Sequence, residues 1–449
     1  MILTKNTDID LQIDAITSEG SGVGRYEGMA VFVSGAAVGD LCRVHIIKAK
    51  KNYAIGKIIK ILTASDARQA VDCKYFPACG GCTFRHIKYE EELKYKKERV
   101  NDAFLHLAHI DIKADEIIGA DNIEHYRNKA QYPVGVDGEL KIGFYSAHSH
   151  RIVNCADCNL QPTIFSEITK AFRQFITINN ISVYNSEKGK GLLRHIYIRQ
   201  AQKTGEIMVC AVINGDDLPC KDKLIEQLAE IPNIKSIVLN INKENNNVIL
   251  GDKLKTIYGD DYITDILCGV RIRLSPLSFY QVNREQAERL YTRAAELAQL
   301  TGNETLLDLY CGAGTIGLSM AGKAKEIIGC DIVPQAIEDA KVNAEINDIK
   351  NTEFYCGDAP KIAEILNEKG INPNVIILDP PRKGCAKELI DTVCKMSAEK
   401  VIYVSCDPAT LARDCAIFED EGYKVKRLTA VDLFPRTVHV ECVCLLTRE

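Results

Sequence analysis

A glycine-rich run at residues 308–317, DLYCGAGTIG, lies between a predicted strand and a predicted helix. Glycines at such a junction allow the backbone to turn tightly beside a bound ligand. About 20 residues further on, the next predicted strand ends at Asp331, where doubly wound folds place a carboxylate that accepts hydrogen bonds from ribose hydroxyls. A third predicted strand leads to Asp358. Together the run and its two acidic residues predict a site for a nucleoside-containing cofactor.

The spacing of this loop resembles that of the class I S-adenosylmethionine-dependent methyltransferases. Their D-x-x-C/G-G-x-G pattern differs from the G-x-G-x-x-G of dinucleotide binders. The resemblance implies S-adenosyl-L-methionine as the cofactor. Two alternatives stay open at this point: a Rossmann dehydrogenase, and a structural glycine turn whose neighbouring acids cap helices.

Three further motifs adjoin the ends of predicted strands. They are LDPPRKG at 378–384, VSCDP at 404–408 and VHVEC at 438–442. In a doubly wound sheet the ligand crevice lies outside the carboxyl ends of the parallel strands, where Asp379 and Cys406 fall. If the last strand is antiparallel, Glu441 at its beginning lies at the same edge. The three side chains are then expected around one site.

A thiol and a carboxylate beside a methyl donor suit methylation at C5 of a pyrimidine. That carbon is a poor nucleophile until a group adds to the neighbouring C6, and a cysteine can supply the addition. Attack by Cys406 forms an enolate whose C5 takes the methyl group. Glu441 is the predicted base that removes the C5 proton before the thiol leaves. The target base must leave any stack to enter the pocket, where Phe279 or Tyr280 can stack upon it.

Each of these residues also has a simpler interpretation. The D-P-P sequence at Asp379 occurs in amino-methyltransferases too, but their motif has an aromatic residue where this chain has Arg382. That interpretation also leaves Cys406 without a function. An inert core thiol is the alternative for Cys406, and a solvated surface side chain is the alternative for Glu441.

Over essentially its whole length, the chain resembles the RNA (uracil-5-)-methyltransferase family. The shared elements are SPLSFYQVN at 275–283, the cofactor loop DLYCGAGTIGL, DPPR at 379–382 and SCDP at 405–408. Thr315 departs from the Asn found in some members. The resemblance assigns Gln281, Tyr310, Asp331 and Asp379 to the cofactor and target pocket. The other predicted cofactor-binding residues are Gly312, Gly314, Thr315 and Asp358.

The resemblance implies that the product is 5-methyluridine in RNA, with no DNA partner. We predict 23S ribosomal RNA as the substrate, and transfer RNA is the nearest alternative because the same catalytic core serves both. A hypothesis of another class is a non-catalytic RNA-binding or redox-sensing iron–sulfur protein. The intact set of motif residues argues against it.

A cysteine cluster precedes these motifs. Cys73, Cys79 and Cys82 have C-x5-C-G-G-C spacing, and a fourth ligand can come from Cys155 or Cys158. Four thiolates suit zinc and an iron–sulfur cluster equally. The arrangement resembles the [4Fe–4S] module of the ribosomal-RNA members of the family. Their C-x-x-Q pattern matches residues 158–161, so Cys158 is the predicted fourth ligand and Cys155 the reserve.

The elements that carry these motifs fall into three predicted domains of a multidomain α/β protein. Residues 1–64 have short apolar runs separated by glycines, which predicts a small all-β barrel resembling the RNA-binding TRAM variety of the OB-type barrel. Its segment 41–60 holds six basic and no acidic residues, a candidate phosphate-contacting surface or an ordinary Lys-rich face. Residues 65–268 predict a central α+β domain with the cysteine cluster. Residues 269–449 alternate apolar strands and helices, which predicts a Rossmann-like catalytic domain.

The composition is that of a globular protein. Of 449 residues, 46% are apolar and 26% are charged, and the net charge is −5. A domain usually holds about 100–200 residues, so a peptide hormone or a lone binding module is excluded. No apolar run approaches the roughly 18 residues of a membrane span, and the first residues lack an export signal. We therefore expect a cytoplasmic protein with no membrane partner, in which most of the 18 cysteines are buried thiols.

Overall fold

The computed structural model describes residues 3–449 and contains four sheets. The first is a six-stranded partial barrel with the order β1-β5-β6-β4-β3-β2. Its strands are β1 (Asp8–Gln12), β2 (Ala15–Ile16), β3 (Ser21–Tyr26), β4 (Met29–Ser34), β5 (Leu41–Ala49) and β6 (Tyr53–Thr63). Alternate residues such as Ile9, Leu11, Val31 and Val33 face one buried core, as the two-residue period of a strand requires. The predicted N-terminal barrel is therefore present.

One glycine of this barrel is required by close packing. A Cβ on Gly24 would lie 2.0 Å from the carbonyl oxygen of Gln12 at the end of β1. No side chain fits in that gap, so β3 can approach the first strand only where the residue is glycine.

The central sheet has seven strands in the order β10-β9-β8-β11-β12-β13-β14. Its strands are β8 (Lys129–Asp137), β9 (Glu139–Tyr145), β10 (Ile152–Asn154), β11 (Leu193–Gln200), β12 (Ile207–Ile213), β13 (Ile234–Ile241) and β14 (Lys253–Gly259). Two helices, α2 (Ile164–Ile178) and α3 (Lys221–Ala229), pack on it. Phe165, Phe172 and Phe175 lie on one side of α2 and are fully buried against the sheet. This is the predicted central α+β unit.

The catalytic sheet has eight strands in the order β19-β18-β17-β20-β21-β23-β22-β7. Its strands are β7 (Ile117–Ile118), β17 (Thr305–Leu309), β18 (Glu326–Asp331), β19 (Thr352–Cys356), β20 (Val375–Leu378), β21 (Lys400–Ser405), β22 (Tyr423–Val431) and β23 (Glu441–Arg448). β17 to β21 pair in parallel, and β23 runs antiparallel between β21 and β22. The doubly wound prediction is confirmed, and the last strand has the antiparallel direction on which the expected position of Glu441 depended.

Helices cover both faces of this sheet and form two apolar cores. They are α4 (Arg284–Ala298), α5 (Thr315–Ser319), α6 (Pro334–Ile346), α7 (Ala359–Glu368), α8 (Lys387–Met396) and α9 (Pro408–Asp420), with a 3₁₀ turn at Ala321–Lys323. Leu307 and Ile377, each with no exposed surface, show why the strands are apolar throughout: both of their faces are covered.

Part of the predicted central domain packs on the catalytic sheet. Helix α1 (Tyr89–Ala103) and the π-helical turn Phe104–Ala108 bury Val100 and Phe104 in the catalytic core, and β7 extends the sheet beside β22. The hairpin of β15 (Ile263–Leu267) and β16 (Val270–Leu274) packs as one unit in the second core of the catalytic domain, so the expected boundary between residues 268 and 269 divides this hairpin. These additions bring residues from before the central sheet close to the site. No helix within residues 3–449 is long and apolar enough to cross a membrane.

Candidate active site

Three strand ends deliver the predicted reactive side chains to one edge of the catalytic sheet. Asp379 directly follows β20, and Cys406 directly follows β21. In the antiparallel β21–β23 ladder Ser405 lies opposite Cys442, so Glu441 begins its strand beside Cys406. We call Asp379, Cys406 and Glu441 the carboxylate crevice. The tertiary structure brings these three groups together as expected from the sequence.

The backbone around Cys406 is held on both sides. The amide of Asp407 donates to Ser405 Oγ at 3.1 Å, and that hydroxyl donates to the Asp407 carbonyl at 3.1 Å. The Asp407 carboxylate caps α9 by accepting from the amides of Ala409 and Thr410 at 2.9 and 3.0 Å. Cys406 therefore sits in a rigid strand-to-helix turn and is itself partly exposed.

The crevice is electrostatically unusual because it places one thiol and two carboxyl groups close together in a largely buried site. Burial, followed by the charges of Asp379 and Glu441, raises the pKa of the Cys406 thiol to about 11, and Arg382 opposes the shift. Burial and the Asp379 charge raise the pKa of Glu441 to about 8. Burial alone raises the pKa of Asp379 to about 7. A carboxyl group that titrates near neutral pH is suited to accept a proton during a reaction.

Arg382 and His439 lie close to the crevice, and sequence reasoning did not assign a function to either residue. Arg382 lowers the pKa of the Cys406 thiol and of the Glu441 carboxyl, so its guanidinium lies within electrostatic reach of both. Burial and then Arg382 lower the pKa of His439 to about 4, which leaves that imidazole neutral at pH 7. Arg382 lies in the motif DPPRKG and His439 in the motif VHVEC. Their closeness in sequence to Asp379 and Glu441 is the feature from which a role at the site could have been predicted.

The loop that leads from β22 to Glu441 is fixed by buried charges from α1. Lys96 Nζ donates to Asp432 Oδ1 at 2.6 Å and to Glu92 Oε1 at 2.7 Å. The Tyr89 hydroxyl donates to Asp432 Oδ2 at 2.7 Å, and the backbone amide of Arg436 donates to Glu92 Oε1 at 2.7 Å. Glu92, Lys96 and Asp432 have at most 1% of their surface exposed. Charges buried this deeply need partners, and Lys96 supplies one to each carboxylate.

Two further contacts continue the attachment of this loop. Arg99 Nη1 donates to the Val438 carbonyl at 2.9 Å. The amides of Thr83 and Phe84, which follow Cys82 of the cysteine cluster, donate to the Arg436 carbonyl at 2.8 and 3.0 Å. The position of Glu441 therefore depends on segments some 340 residues earlier in the chain, as the sequence separation of 344 between Glu92 and Arg436 shows.

The glycine loop is organised by two acids of the catalytic sheet. The amide of Gly312 donates to Asp331 Oδ2 at 2.9 Å, and Val333 donates to Asp331 Oδ1 at 2.8 Å. The amide of Gly317 donates to Asp308 Oδ2 at 2.9 Å. A Cβ on Gly317 would meet that same oxygen at 3.0 Å, which is why the helix can approach Asp308 only with glycine there. Asp331 lies at the carboxyl end of β18, as the ribose-binding prediction requires.

Positive φ angles explain the other loop positions. Tyr310, Gly312 and Gly314 have φ of 70°, 55° and 79°. Left-handed backbone at two of these positions favours glycine, and at Tyr310 it places strain next to the ligand-facing turn.

Asp358 is the N-cap of α7 and makes no side-chain capping bond, so its exposed carboxylate remains accessible. Ile332 and Val333 beside Asp331 are 64% and 50% exposed, an apolar surface that the motif search did not assign.

Tyr291 joins the cofactor loop to the crevice. Its hydroxyl lies 3.5 Å from Thr315 Oγ1, and its pKa is raised by burial and by the charge of Asp379 and lowered by a hydrogen bond from Gln281. Thr315 and Gln281, two predicted cofactor residues, thus share one buried partner. Sequence reasoning missed Tyr291 because it falls on the apolar face of α4, where a tyrosine is indistinguishable from core packing.

The two aromatic candidates for stacking differ in accessibility. Phe279 is 69% exposed, and its ring is free to meet a base. Tyr280 is 3% exposed and its hydroxyl donates to Asp265 Oδ2 at 3.0 Å. Tyr280 therefore packs in the catalytic core and is not placed for stacking, because consecutive residues of an extended segment point in opposite directions.

The predicted metal ligands converge from two parts of the chain. Cys79 and Cys82 lie within electrostatic reach of Cys158, and Cys73 lies within reach of Cys79. Cys155 contacts Cys158 and is the more deeply buried of the two. All donors are thiols, which is the ligand chemistry of iron–sulfur and zinc sites. However, no three of the His, Cys, Asp or Glu side chains in residues 3–449 adopt the close arrangement of metal ligands.

Comparison with known proteins identifies the family. The tRNA (Uracil-5-)-methyltransferase family matches residues 88–449, and the TRAM domain family matches residues 3–59. The chain belongs to the tRNA (Uracil-5-)-methyltransferase family. It is an S-adenosylmethionine-dependent RNA (uracil-5-)-methyltransferase, which decides against the dehydrogenase, amino-methyltransferase and non-catalytic alternatives.

Full-length relatives agree with this assignment. An uncharacterized RNA methyltransferase of Clostridium tetani is 42% identical over 99% of this chain and 97% of its own length. Another, from Caldanaerobacter subterraneus subsp. tengcongensis, is 44% identical over 98% of both chains. The crystal structure of Pyrococcus abyssi tRNA (uracil-54, C5)-methyltransferase with S-adenosyl-L-homocysteine is 27% identical, has a TM-score of 0.81 and is matched over 98% of this chain and 100% of that one.

Proposed function

We propose that this methyltransferase modifies uridine through a covalent adduct between Cys406 and C6 of the target base. The observation that carries the proposal is the register of β21 and β23, which sets Glu441 beside Cys406 at the edge where Asp379 also ends its strand. A nucleophile next to a carboxyl group with a pKa of about 8 is the pair that addition and elimination need.

The steps follow from the protein groups. Cys406 loses its proton to a neighbouring carboxylate and bonds to C6, and the electron pair of the C5–C6 double bond moves into the enolate. S-adenosyl-L-methionine, when bound, supplies the electrophilic methyl group that C5 takes. Glu441 then accepts the C5 proton, the double bond re-forms, and the thiolate of Cys406 leaves C6.

The other predicted site residues receive their roles within this scheme. Phe279 stacks on the flipped base. Asp331 and Asp358 accept hydrogen bonds from the donor's nucleoside, and the backbone at Gly312 and Gly314 lies against it. Gln281, Tyr310, Thr315 and Asp379 complete the walls of the pocket. The arrangement of Thr315 and Gln281 around Tyr291 supports their membership in one pocket.

For the RNA class, we propose 23S ribosomal RNA, with transfer RNA as the second candidate. The ribosomal proposal rests on the combination of the barrel with the cysteine cluster. The transfer-RNA candidate is favoured by the solved relative from Pyrococcus abyssi, whose name gives uracil 54 of tRNA as its target.

We further propose that Cys73, Cys79, Cys82 and Cys158 hold a [4Fe–4S] cluster with a structural or RNA-contacting role, since methyl transfer by addition consumes no electrons. The purified protein should contain iron and sulfide, and Cys158→Ala should lose both while Cys155→Ala keeps them. Zinc without sulfide, or an equal effect of the two substitutions, would contradict the ligand set. If cluster removal under anaerobic conditions changes neither folding nor RNA affinity, the assigned role is wrong.

Tritium release tests the central proposal. The enzyme and methyl donor are incubated with ribosomal-RNA and transfer-RNA transcripts that carry tritium at uracil C5. Release from ribosomal RNA, abolished by Cys406→Ala, is expected. Release from transfer RNA alone would replace the substrate and keep the chemistry. Full release by Cys406→Ala would overturn the covalent mechanism.

A further inference from the structure

Three cationic side chains meet where the central sheet adjoins the catalytic domain. Lys129 begins β8 and lies directly opposite Arg199 of β11 in the antiparallel ladder. Residues directly opposite each other in such a ladder project on the same face of the sheet. Arg127 precedes Lys129 by two residues and acts electrostatically on it. We call Arg127, Lys129 and Arg199 the cationic strip.

No Asp or Glu side chain forms an ion pair with the cationic strip within residues 3–449. Arg199 is 1% exposed, and its guanidinium donates only to neutral carbonyls, those of Ser275 at 2.9 Å and Ser278 at 2.7 Å. Its Nε atom is buried without a hydrogen bond. Arg127 makes one long side-chain hydrogen bond, from Nε to the Tyr126 hydroxyl at 3.4 Å.

This arrangement is costly for the protein alone. Like charges directly opposite each other destabilise a sheet, and a buried charge without a counterion pays for its lost hydration. The effect is visible at Lys129, where burial, Arg199 and Arg127 lower the pKa to about 8. The sulfurs of Cys82 and Cys158, two proposed cluster ligands, act electrostatically on Arg127 and account for that cation. Lys129 and Arg199 make no ion pair within residues 3–449, so their counterion is expected to come from a ligand.

The surroundings of the cationic strip connect it to the target base. Ser275 and Ser278, whose carbonyls accept hydrogen bonds from Arg199, precede the exposed ring of Phe279. The charge of Arg127 also contributes to the lowered pKa of His439 in the loop before Glu441. The strip is therefore joined by hydrogen bonds to the segment before Phe279 and lies within electrostatic reach of the loop before Glu441.

We propose that Lys129, supported by Arg127 and Arg199, binds a phosphodiester group of the RNA next to the flipped uridine. A lysine without a protein counterion matches the charge of a phosphate, and its connection through Arg199 to the segment before Phe279 matches a nucleotide adjacent to the target. The inference rests on the proposed position of the target base at Phe279. Arg199 acts as a positioning residue, because its guanidinium is occupied by the carbonyls of the Phe279 segment.

The same anionic chemistry could come from the carboxylate of the methyl donor, and the experiment separates the two sources. Lys129→Met removes the charge and keeps the length of the side chain. Lys141→Met is the matched control, because Lys141 lies on the hairpin partner β9 and already pairs with Asp137 at 2.6 Å. Affinity for the RNA substrate is measured between 50 and 200 mM salt, conditions of the order at which phosphate contacts dominate. Donor affinity and thermal unfolding of the free protein are measured in parallel.

Lys129→Met should weaken RNA binding and reduce the slope of log affinity against log salt by about 0.7–0.9, the loss of one phosphate contact. Donor affinity should stay unchanged, and the RNA-free protein should unfold at the same or a higher temperature. Lys141→Met should leave the slope as in the wild type. Unchanged RNA affinity, a selective loss of donor affinity, or a lower unfolding temperature would each overturn the inference.

The proposed chemistry can fail without affecting this result. Binding is measured without turnover, so an active Cys406→Ala variant would remove the adduct mechanism and leave the Lys129 measurements valid. Conversely, a normal salt slope for Lys129→Met together with an inactive Cys406→Ala would remove only the phosphate subsite. Phe279→Ala, assayed in both ways, shows whether the base and the phosphate are held in neighbouring places.

Discussion

The carboxylate crevice and the cationic strip are both sites of uncompensated charge, but of opposite sign. In the crevice, burial raises the pKa values of Asp379 and Glu441 to about 7 and about 8, and the charge of Asp379 adds to the shift at Glu441. In the strip, burial and neighbouring cations lower the pKa of Lys129 to about 8. Each region thus holds groups that fold at an electrostatic cost. In the proposed function, the acids of the crevice face the cationic methyl donor, and the cations of the strip face the anionic RNA backbone.

The regions also differ in what orients them. The crevice is built from the ends of adjacent strands of one sheet, so its geometry follows from strand order. The cationic strip and the loop before Glu441 depend on contacts between segments far apart in the chain, such as Arg199 with Ser278 and Lys96 with Asp432. Substitutions in the crevice are therefore expected to affect chemistry, and those elsewhere to affect binding or position.

The largest expected effect tests the crevice as a chemical site. Cys406→Ala removes the nucleophile and should lower tritium release by on the order of 10⁴-fold or more. RNA and donor affinities should stay near the wild-type values. Cys220→Ala, at an exposed cysteine of the central domain, is the matched control and should be fully active. A Cys406→Ala enzyme that releases tritium at the wild-type rate would show that Cys406 is not the nucleophile and that the crevice only binds the substrate.

The next effect separates the two steps within the crevice. Glu441→Gln should slow turnover by about 10²–10⁴-fold, because the base that removes the C5 proton is lost. Attack by Cys406 and methylation remain possible, so a covalent protein–RNA species should accumulate and survive denaturing electrophoresis. The double variant Cys406→Ala/Glu441→Gln should form none. A Glu441→Gln enzyme that turns over normally, with no such species, would assign the base elsewhere.

A third substitution tests the buried ion pairs of Lys96, which, unlike the charges of the crevice and the strip, have partners of opposite charge. Lys96→Met leaves Asp432 buried without an ion pair and Glu92 with only the 3.9 Å contact to Arg436, and it should lower the free energy of unfolding by about 3–5 kcal/mol. Lys94→Met, two residues away on α1, breaks only the exposed pair with Glu91 and should cost about 0–1 kcal/mol. Chemical denaturation measures both. Equal costs would mean that the loop before Glu441 is not held by these charges.

The smallest effect sharpens the comparison through the pH dependence of stability. The carboxyl of Glu441 binds its proton more tightly in the folded protein, so its contribution is present below about pH 4.5 and is lost as the pH rises to about 8. Lys129 binds its proton less tightly when folded, so stability is regained between about pH 8 and 10.5.

Unfolding temperatures across pH 5 to 10 measure these two contributions, the range being roughly that spanned by the shifted groups. Relative to the wild type, Glu441→Gln should lose part of the decline between pH 5 and 8. Lys129→Met should lose part of the gain above pH 8. Parallel curves for the wild type and both variants would show that neither region carries uncompensated charge.

Much of the fold and the crevice could be read from the sequence because the signals are local. An apolar run followed at once by Asp379 or Cys406 specifies both a buried strand and the residue at its end. Glycine at 312, 314 and 317 reports backbone conformations and close approaches that no other residue allows. The direction of the last strand was left open by the sequence, and its antiparallel pairing with β21 places Glu441 at the edge of the sheet.

What the sequence could not determine depends on contacts between distant segments. The burial of Tyr280, the bridging position of Tyr291 and the packing of α1 on the catalytic sheet follow from how the units dock, and a short sequence window contains no signal for docking. The cationic strip exists only because β8 pairs with β11 in one register. The sequence by itself determined which groups can react, since reactivity belongs to side-chain type and strand position. Only the tertiary structure decided which charges remain without partners, because the partner of a buried charge can lie far away in the chain. Lys96 and Asp432 are separated by 336 residues, and only folding brings them into contact.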